Sequence, residues 1–168
     1  MEKKKIDWSN LGFGYIETEE RYLSWYRDGA WDEGTLTKDG MITMSECACV
    51  LQYAQTAFEG LKAYTTEDGS IVTFRPDLNA ERLQSSCRGL MMPEVPKQKF
   101  IDALDRLVAA NAAYVPPYGS GASLYIRPFI FAADPFLGVR PGDKYYFMII
   151  MSPSGAYYST GINPVDIY

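Results

Sequence analysis

The sequence predicts an α+β domain whose sheet is largely antiparallel. Three observations support this class: short strand patterns broken by Asp-Gly turns fill the first half, two amphipathic helical patterns follow, and two long apolar strand patterns come after them. The 168 residues, of which 47% are hydrophobic, have the usual size of one domain with its own core. We therefore expect a single domain over residues 1–168.

The strands of the first half are recognised by the turns that end them. The segment YLSWYR precedes Asp28-Gly29, and a second strand candidate precedes Asp39-Gly40. The segments Leu61–Thr65 and Ile71–Arg75 flank TEDGS, whose Asp-Gly pair favours a tight turn. These two segments predict a hairpin.

Three helices are expected between the strands. The first lies in MSECACVLQYAQTAFEG, with Ser45 as its N-cap and a course toward Thr56, and Gly60 closes the segment with a residue that tolerates positive φ. The second begins near Asp77, a plausible N-cap after a proline, and the third covers about residues 97–114. Apolar residues recur at spacings of three and four in both, which predicts helices with one buried face.

The last two strands are SLYIRPFIFAA and KYYFMIIMS, separated by the loop DPFLGVRPGD. Alternate residues of a strand share a face, so Tyr125, Arg127 and Phe129 are expected to point the same way. A half-buried arginine needs a partner, because burying an unpaired charge costs several kcal/mol. Two interpretations stay open: a salt bridge from an edge strand to an internal carboxylate, or a site for a carboxylate or phosphate ligand.

Arg82 is a second candidate for anion binding. It lies in the first turns of the second helix, whose N-terminus favours anions, although an arginine on a helix is usually only solvated. Tyr53 and Phe58 lie five residues apart, and core packing is the default interpretation for both. Several of the 13 tyrosines near one arginine would instead form an apolar pocket with a few directed donors.

Composition excludes several classes of function. Histidine is absent, so no His-based nucleophile or His-containing metal site exists in this chain, and no metal site is expected. The net charge of −5 offers no basic field for nucleic acid, and no segment is apolar enough to predict a membrane span or signal peptide. We expect a cytoplasmic protein with free thiols at its three cysteines and a flexible, solvated terminus over residues 1–10.

Four segments give the chain a resemblance to a known family. They are LQYAQTAFEGLKAY, FRPDLNAERLQSS, SLYIRPFIFAADPFLGV and SPSGAYYSTGINPV. In this order and at about these separations they resemble the N-terminal domain of branched-chain amino acid aminotransferases, from about Leu11 to the last residue. Four matches in register are more specific than any one of them.

The resemblance implies a fold-type IV enzyme that uses pyridoxal 5'-phosphate to move an amino group between leucine, isoleucine or valine and 2-oxoglutarate. It implies that Arg82 grips the cofactor phosphate and that Arg127 helps to recognise the distal carboxylate of glutamate. It also implies a homodimer in which a loop reaches the neighbouring subunit's site. The substrate-binding residues that it implies are Tyr53, Phe58, Tyr125, Arg127 and Tyr157, and those of the inter-subunit loop are Leu137 and Val139.

Two departures from the family pattern bear on these expectations. The chain has Gln52-Tyr53-Ala54 where the family commonly has His-Tyr-Gly, and alanine lacks the backbone freedom of glycine beside a pocket tyrosine. The family's catalytic lysine lies in a second domain, and no lysine here has a matching motif, so we expect no catalytic residue in this chain. The chain is thus expected to be the N-terminal part of a longer two-domain enzyme and to be inactive without its C-terminal domain.

Three rival functions remain at this point. The first is another enzyme of the same fold, a D-amino acid aminotransferase or an aminodeoxychorismate lyase. The second is a non-catalytic module that binds a small carboxylate through Arg127. The third is a structural domain whose arginines form only internal salt bridges.

Overall fold

The computed structural model describes residues 2–156 and residue 164, and in this part of the chain eight strands form one antiparallel sheet. The strands are β1 (Arg21–Arg27), β2 (Ala30–Trp31), β3 (Thr35–Thr37), β4 (Thr56–Phe58), β5 (Leu61–Thr65), β6 (Ile71–Thr73), β7 (Ser123–Ala132) and β8 (Tyr145–Ser154). The helices are α1 (Cys49–Tyr53), α2 (Pro76–Gly89) and α3 (Lys97–Ala110), with short 3-10 helices at Trp8–Asn10 and Ala112–Tyr114. The predicted α+β class with an antiparallel sheet is confirmed.

The centre of the sheet is the pair formed by β7 and β8. Their residues pair without a break from Ser123 opposite Ser154 to Ala132 opposite Tyr145. The strand order is β2-β1-β8-β7-β5-β6, with β3 also on β1 and β4 also on β7. The predicted hairpin is confirmed as β5 and β6, with Thr65 opposite Ile71.

Helices α2 and α3 cover one face of this sheet. Their apolar residues share a core cluster with alternate residues of β7 and β8, and the Phe100 ring of α3 stacks on Phe147 of β8 at 6.0 Å between centroids. The buried members include Leu83 and Cys87 of α2, Leu104 and Leu107 of α3, Leu124, Ile126 and Ile130 of β7, and Ile149 and Met151 of β8. The other face of β7 therefore remains available for a site.

The helix predicted from Ser45 toward Thr56 is wrong in extent. Helix α1 spans only Cys49–Tyr53, and its N-cap is Ala48, which has no side-chain cap. The Ser45 hydroxyl instead accepts the backbone N–H of Cys47 in the preceding turn. Thr56 begins β4 because its backbone pairs with Phe131 of β7, a contact between distant segments that outweighs local helix propensity.

The predicted N-cap of the second helix is also wrong. Arg75 occupies the N-cap position with a left-handed backbone (φ 47°), and Pro76 takes the first helical position, where its fixed φ fits. Asp77 lies inside the first turn and accepts two hydrogen bonds from the Arg75 guanidinium at 2.9 and 2.8 Å. The hydrogen bonds from Arg75 lower the pKa of Asp77 to about 2.

The N-terminal segment has contacts with the body of the domain. The Lys4 N–H donates to the Ala113 carbonyl at 2.9 Å, and the Lys3 ammonium donates to the Ala112 carbonyl at 3.2 Å. The flexibility expected for residues 1–10, and the single domain expected over residues 1–168, stay predictions. No helix in the described residues is long and apolar enough to cross a membrane.

Ala54 holds a backbone conformation that suits glycine. It ends α1 with φ 51° and ψ 35°, and its N–H donates to the Val50 carbonyl at 3.1 Å. In this left-handed region the alanine Cβ crowds the following carbonyl, at a cost of about 1–2 kcal/mol. Alanine in place of the glycine expected from the resemblance therefore adds strain at this turn.

We expect Ala54→Gly to raise the free energy of unfolding by about 0.5–1 kcal/mol. Glycine relieves the backbone strain of the folded state, and the greater conformational entropy of glycine in the unfolded chain offsets only part of that stabilisation. Urea unfolding of the chain measures the change. Ala109→Gly, an exposed substitution within α3, is the control and should lower stability by about 1 kcal/mol. A destabilised Ala54→Gly variant would contradict the assignment of strain.

The three cysteines are free thiols, as expected, with Cys47 partly exposed and Cys49 and Cys87 buried. Burial raises the pKa of the Cys49 thiol and raises that of Cys87 to about 11.

Since the thiolate is the reactive form, we expect a disulfide reagent at about pH 8 to modify Cys47 first. A Cys47→Ser variant should react only at the rate of unfolding, and rapid labelling of its folded state would contradict this.

Candidate functional site

The open face of β7 carries the predicted arginine and its aromatic neighbours. Tyr125, Arg127 and Phe129 alternate with the buried Ile126 and Pro128, as the strand period requires. Strand β7 lies between β8 on one side and β4 and β5 on the other, so it is not an edge strand. The sequence prediction that these three side chains share a face is confirmed, and the edge-strand interpretation is wrong.

Arg127 is held by aromatic groups. Its Nε and Nη2 atoms donate to the Tyr125 hydroxyl at 3.3 and 3.2 Å. Its guanidinium carbon lies 5.0 Å from the Phe58 ring centroid and 5.3 Å from that of Tyr125, within the range of cation–π attraction.

The first interpretation of Arg127, a salt bridge within the domain, requires a carboxylate partner. None of the ion pairs between described residues includes Arg127. A neutral phenol satisfies only part of its fork of donors, so the guanidinium retains capacity for an anion. Among the described residues, the salt-bridge interpretation therefore finds no carboxylate partner for Arg127.

A cleft of about 130 Å³ adjoins Arg127. The N-terminal segment forms one wall, where the Phe13 ring meets Tyr125 edge-on at 5.3 Å between centroids. The Ser154 hydroxyl is buried here without a hydrogen-bond partner among the described residues. The residues that line the cleft include Phe13, Tyr125, Arg127, Ile150, Ser152 and Ser154.

Arg82 has a buried partner that sequence reasoning missed. Its Nε donates to Glu59 Oε1 at 2.8 Å and its Nη2 donates to Oε2 at 2.6 Å. The Glu59 side chain is 2% exposed whereas that of Arg82 is 69% exposed, so the guanidinium caps a buried carboxylate and faces solvent with its other edge. Hydrogen bonding to Glu59 raises the pKa of Arg82.

Glu59 could have been noticed in the sequence for the same reason as Arg127. It is a charged residue between Phe58 and Gly60 in an apolar segment, where an ionised group requires a partner. Which residue would serve as that partner depends on how α2 packs, and the sequence alone does not provide this. Phe13 and Ser154 gave no comparable signal.

Tyr53 is not among the residues that line the Arg127 cleft. The Tyr53 hydroxyl makes a short hydrogen bond to the Leu137 carbonyl in the loop between β7 and β8. Leu137 and Val139 project from this loop with 73% and 89% exposure. Asp134, at the base of the loop, accepts the N–H groups of Asp143 and Lys144 at 3.0 and 3.2 Å, which holds the two ends together.

The predicted site residues thus form three groups among the described residues. Phe58, Tyr125 and Arg127 lie together, Arg82 lies on the Glu59 carboxylate next to Phe58, and Tyr53 lies with the loop of Leu137 and Val139. Tyr157 lies outside the described residues. Within residues 2–156 and 164, no group of three or more His, Cys, Asp or Glu side chains could hold a metal ion.

The geometry of the first group suits a ligand that combines a carboxylate with an apolar part. The Arg127 guanidinium and the Tyr125 phenol supply donors, and the rings of Phe13 and Phe58 supply apolar surface beside them. Small-molecule sites commonly have such apolar walls with a few directed polar groups.

Comparison with known sequences connects the chain to one group of enzymes. No family model matches it. The branched-chain-amino-acid aminotransferase of Haemophilus influenzae is 45% identical over 161 residues, which are 96% of this chain and 47% of that protein. The Mycobacterium tuberculosis H37Rv protein of the same name is 48% identical over 158 residues, 94% of this chain and 43% of that protein. The chain therefore spans about half the length of the curated relatives it matches.

Solved structures show the same fold. The branched-chain amino acid aminotransferase of Escherichia coli matches with a TM-score of 0.65 and 23% identity, over 84% of this chain and 41% of that one. The Thermobaculum terrenum enzyme of the same name, solved in its PLP-form, matches with a TM-score of 0.61 and 22% identity, over 83% of this chain and 41% of that one. The described sheet and helices therefore have the fold of the N-terminal domain of these structures.

We expect Tyr53→Phe to loosen the loop without unfolding the domain, because it removes the hydrogen bond to the Leu137 carbonyl and leaves the core unchanged. Hydrogen exchange should increase over residues 135–143, and the free energy of unfolding should fall by about 1 kcal/mol or less. Tyr118→Phe, on an exposed loop elsewhere, is the control. Unchanged exchange in the loop of the Tyr53 variant would show that the contact does not order it.

Proposed function

We propose that this chain, which is homologous over nearly its whole length to branched-chain-amino-acid aminotransferases, is the substrate-recognising part of such an enzyme. The proposal is carried by one observation: Arg127 faces an apolar cleft and has no carboxylate partner among the described residues. The names of the curated relatives supply the reaction class, branched-chain amino acid transamination. We further propose that the enzyme is cytoplasmic.

The proposed cofactor is pyridoxal 5'-phosphate. The Thermobaculum terrenum relative was solved in its PLP-form, which supports this choice. When bound, the cofactor supplies the electron sink for amino-group transfer. Arg82 fits a phosphate because its exposed guanidinium edge keeps N–H donors beyond those used by Glu59.

Arg127 and Tyr125 would let one cleft accept two kinds of substrate. With glutamate or 2-oxoglutarate bound, the Arg127 guanidinium pairs with the distal carboxylate. With leucine, isoleucine or valine bound, the guanidinium remains on the Tyr125 hydroxyl and the aliphatic side chain packs on the aromatic walls. The phenol therefore limits the cost of leaving a charge without an anion beside an apolar ligand.

The remaining predicted residues belong to the proposal as well. Tyr53 and Tyr157 are proposed to line the substrate pocket, and the loop with Leu137 and Val139 is proposed to reach the site of a second subunit in a homodimer. Because Tyr53 bonds to this loop, it would follow the loop in that assembly. The covalent link to the cofactor and the transfer of the substrate's proton are proposed to depend on a lysine of the C-terminal domain.

The reaction class is tested by assaying the complete enzyme with leucine, D-alanine and aminodeoxychorismate as substrates. We expect transamination of leucine with 2-oxoglutarate and little or no reaction with the other two. Turnover of D-alanine or aminodeoxychorismate without activity on leucine would replace this proposal with one of the related reactions.

A second measurement distinguishes the proposed enzyme from a non-catalytic binding module. Calorimetry of the 168-residue chain alone with glutamate and 2-oxoglutarate should show only weak binding, because the proposed chain contributes only part of the site. Tight binding by the isolated chain would favour the module.

In the complete enzyme, we expect Arg127→Ala to lower kcat/KM more for glutamate and 2-oxoglutarate than for leucine. The difference should correspond to a loss of about 1.5–3 kcal/mol of transition-state stabilisation, because only the dicarboxylates use the charged hydrogen bond. Arg106→Ala, an exposed substitution on α3, is the control for the loss of a positive charge. Equal losses for both substrate classes would mean that Arg127 serves the strand rather than the ligand.

A further inference from the structure

We propose that Glu59 is a positioning residue for the cofactor: it fixes the guanidinium of Arg82 in the orientation that meets the cofactor phosphate. The inference rests on the proposed function and goes beyond it, because it assigns the phosphate grip to a pair of residues rather than to Arg82 alone. Its basis is the two-pronged contact between the buried Glu59 carboxylate and Nε and Nη2 of Arg82.

Glu59 is itself fixed at both its backbone and its side chain. Its N–H donates to the Pro128 carbonyl of β7 at 2.8 Å, which continues the pairing of β4 with the central strand. Asn79 of α2 donates its amide to Glu59 Oε2 at 2.8 Å. Asn79 and Arg82 are three residues apart, so one helix face brings both donors to the same carboxylate. The carboxylate therefore joins the sheet to α2 and has little freedom to rotate.

The contact divides the guanidinium into two edges. Glu59 occupies the edge formed by Nε and one Nη2 hydrogen, and the remaining N–H groups lie on the edge toward solvent, since 69% of the side chain is exposed. An exposed arginine normally samples many rotamers, and ordering it on binding costs free energy. Here the two hydrogen bonds to Glu59 hold the guanidinium before any ligand arrives.

The Glu59 charge also has an electrostatic effect, which lowers the affinity for phosphate whereas the orientation of Arg82 raises it. A carboxylate next to Arg82 offsets part of the guanidinium's attraction for a phosphate dianion, so a purely electrostatic view predicts that removing the charge strengthens phosphate binding. Orientation predicts the reverse, because a glutamine cannot accept from both Arg82 nitrogens and the Asn79 amide at once. The sign of the change therefore distinguishes the two roles.

Position 59 also has a structural relation to the substrate site. Its neighbour Phe58 lies under the Arg127 guanidinium at 5.0 Å, while Glu59 holds Arg82. Phe58, the last residue of β4, and Glu59, which follows it, thus contact the two arginines proposed to bind anions.

The experiment compares two cofactor forms in the complete apoenzyme. Equilibrium affinities for pyridoxal 5'-phosphate and for pyridoxal, which lacks the phosphate, are measured for the wild type and for Glu59→Gln. We expect the variant to bind pyridoxal 5'-phosphate about tenfold more weakly while its affinity for pyridoxal changes less than about twofold. Glu94→Gln is the matched control. Glu94 forms an ion pair with Arg88, which lies in α2 as Arg82 does, and the two charged groups are 2.7 Å apart.

A second variant guards against misfolding. Glu59→Asp keeps the charge but is one methylene too short to hold both Arg82 nitrogens in place, so it should also lose affinity for the phosphorylated form specifically. In an Arg82→Ala background, neither substitution at position 59 should alter the preference for pyridoxal 5'-phosphate over pyridoxal any further. Thermal unfolding of each variant establishes that it is folded.

Each other result would overturn the inference. Equal losses for both cofactor forms would make Glu59 a structural residue only, and tighter binding of the phosphorylated form by Glu59→Gln would make it an electrostatic opponent of the phosphate. A wild-type enzyme with no preference for the phosphorylated form would instead overturn the proposed role of Arg82, and the inference with it.

Discussion

The pairing of β7 with β8 is the constraint on which the rest of this structure depends. Ten consecutive residues of each strand are matched, and every other layer is placed relative to that ladder. One side of it is sealed by α2 and α3 through contacts such as Phe100 on Phe147. Because the side-chain period of a strand is two, the same register that buries Ile126 fixes Arg127 on the opposite side. Core and site are therefore specified by one set of hydrogen bonds.

The two arginines of the proposed site have different bonding partners. Arg82 keeps a permanent carboxylate partner and is ordered, whereas Arg127 rests on a neutral phenol and on aromatic faces. A permanent ion pair suits a group that holds one ligand through many reaction cycles. A weak neutral partner suits a group that must exchange anionic and apolar ligands in each cycle. The difference in partners thus follows from the difference in proposed tasks.

The parts of this fold that the sequence predicted are those determined by local pattern. Alternation along β7, the Asp-Gly turn between β5 and β6, and the apolar stripes of α2 and α3 each depend on residues close together in the chain. The error in the extent of α1 arose where a distant contact decides: Thr56 pairs with Phe131 rather than extending the helix. The Glu59–Arg82 pair and the link from Tyr53 to Leu137 were missed for the same reason, since each needs the packed structure.

Helix α1 has a consequence for the loop between β7 and β8. It has five residues, no side-chain cap at its start and a strained alanine at its end, and it is anchored at its start by the Cys49 N–H, which donates to the Asp134 carbonyl at 3.1 Å. Tyr53, its last residue, is also the contact that secures the loop of Leu137. The loop is thus joined to the helix at two places, through the Asp134 carbonyl at its base and the Leu137 carbonyl farther along. The strained residue Ala54 therefore directly follows the tyrosine that ties the helix to the loop.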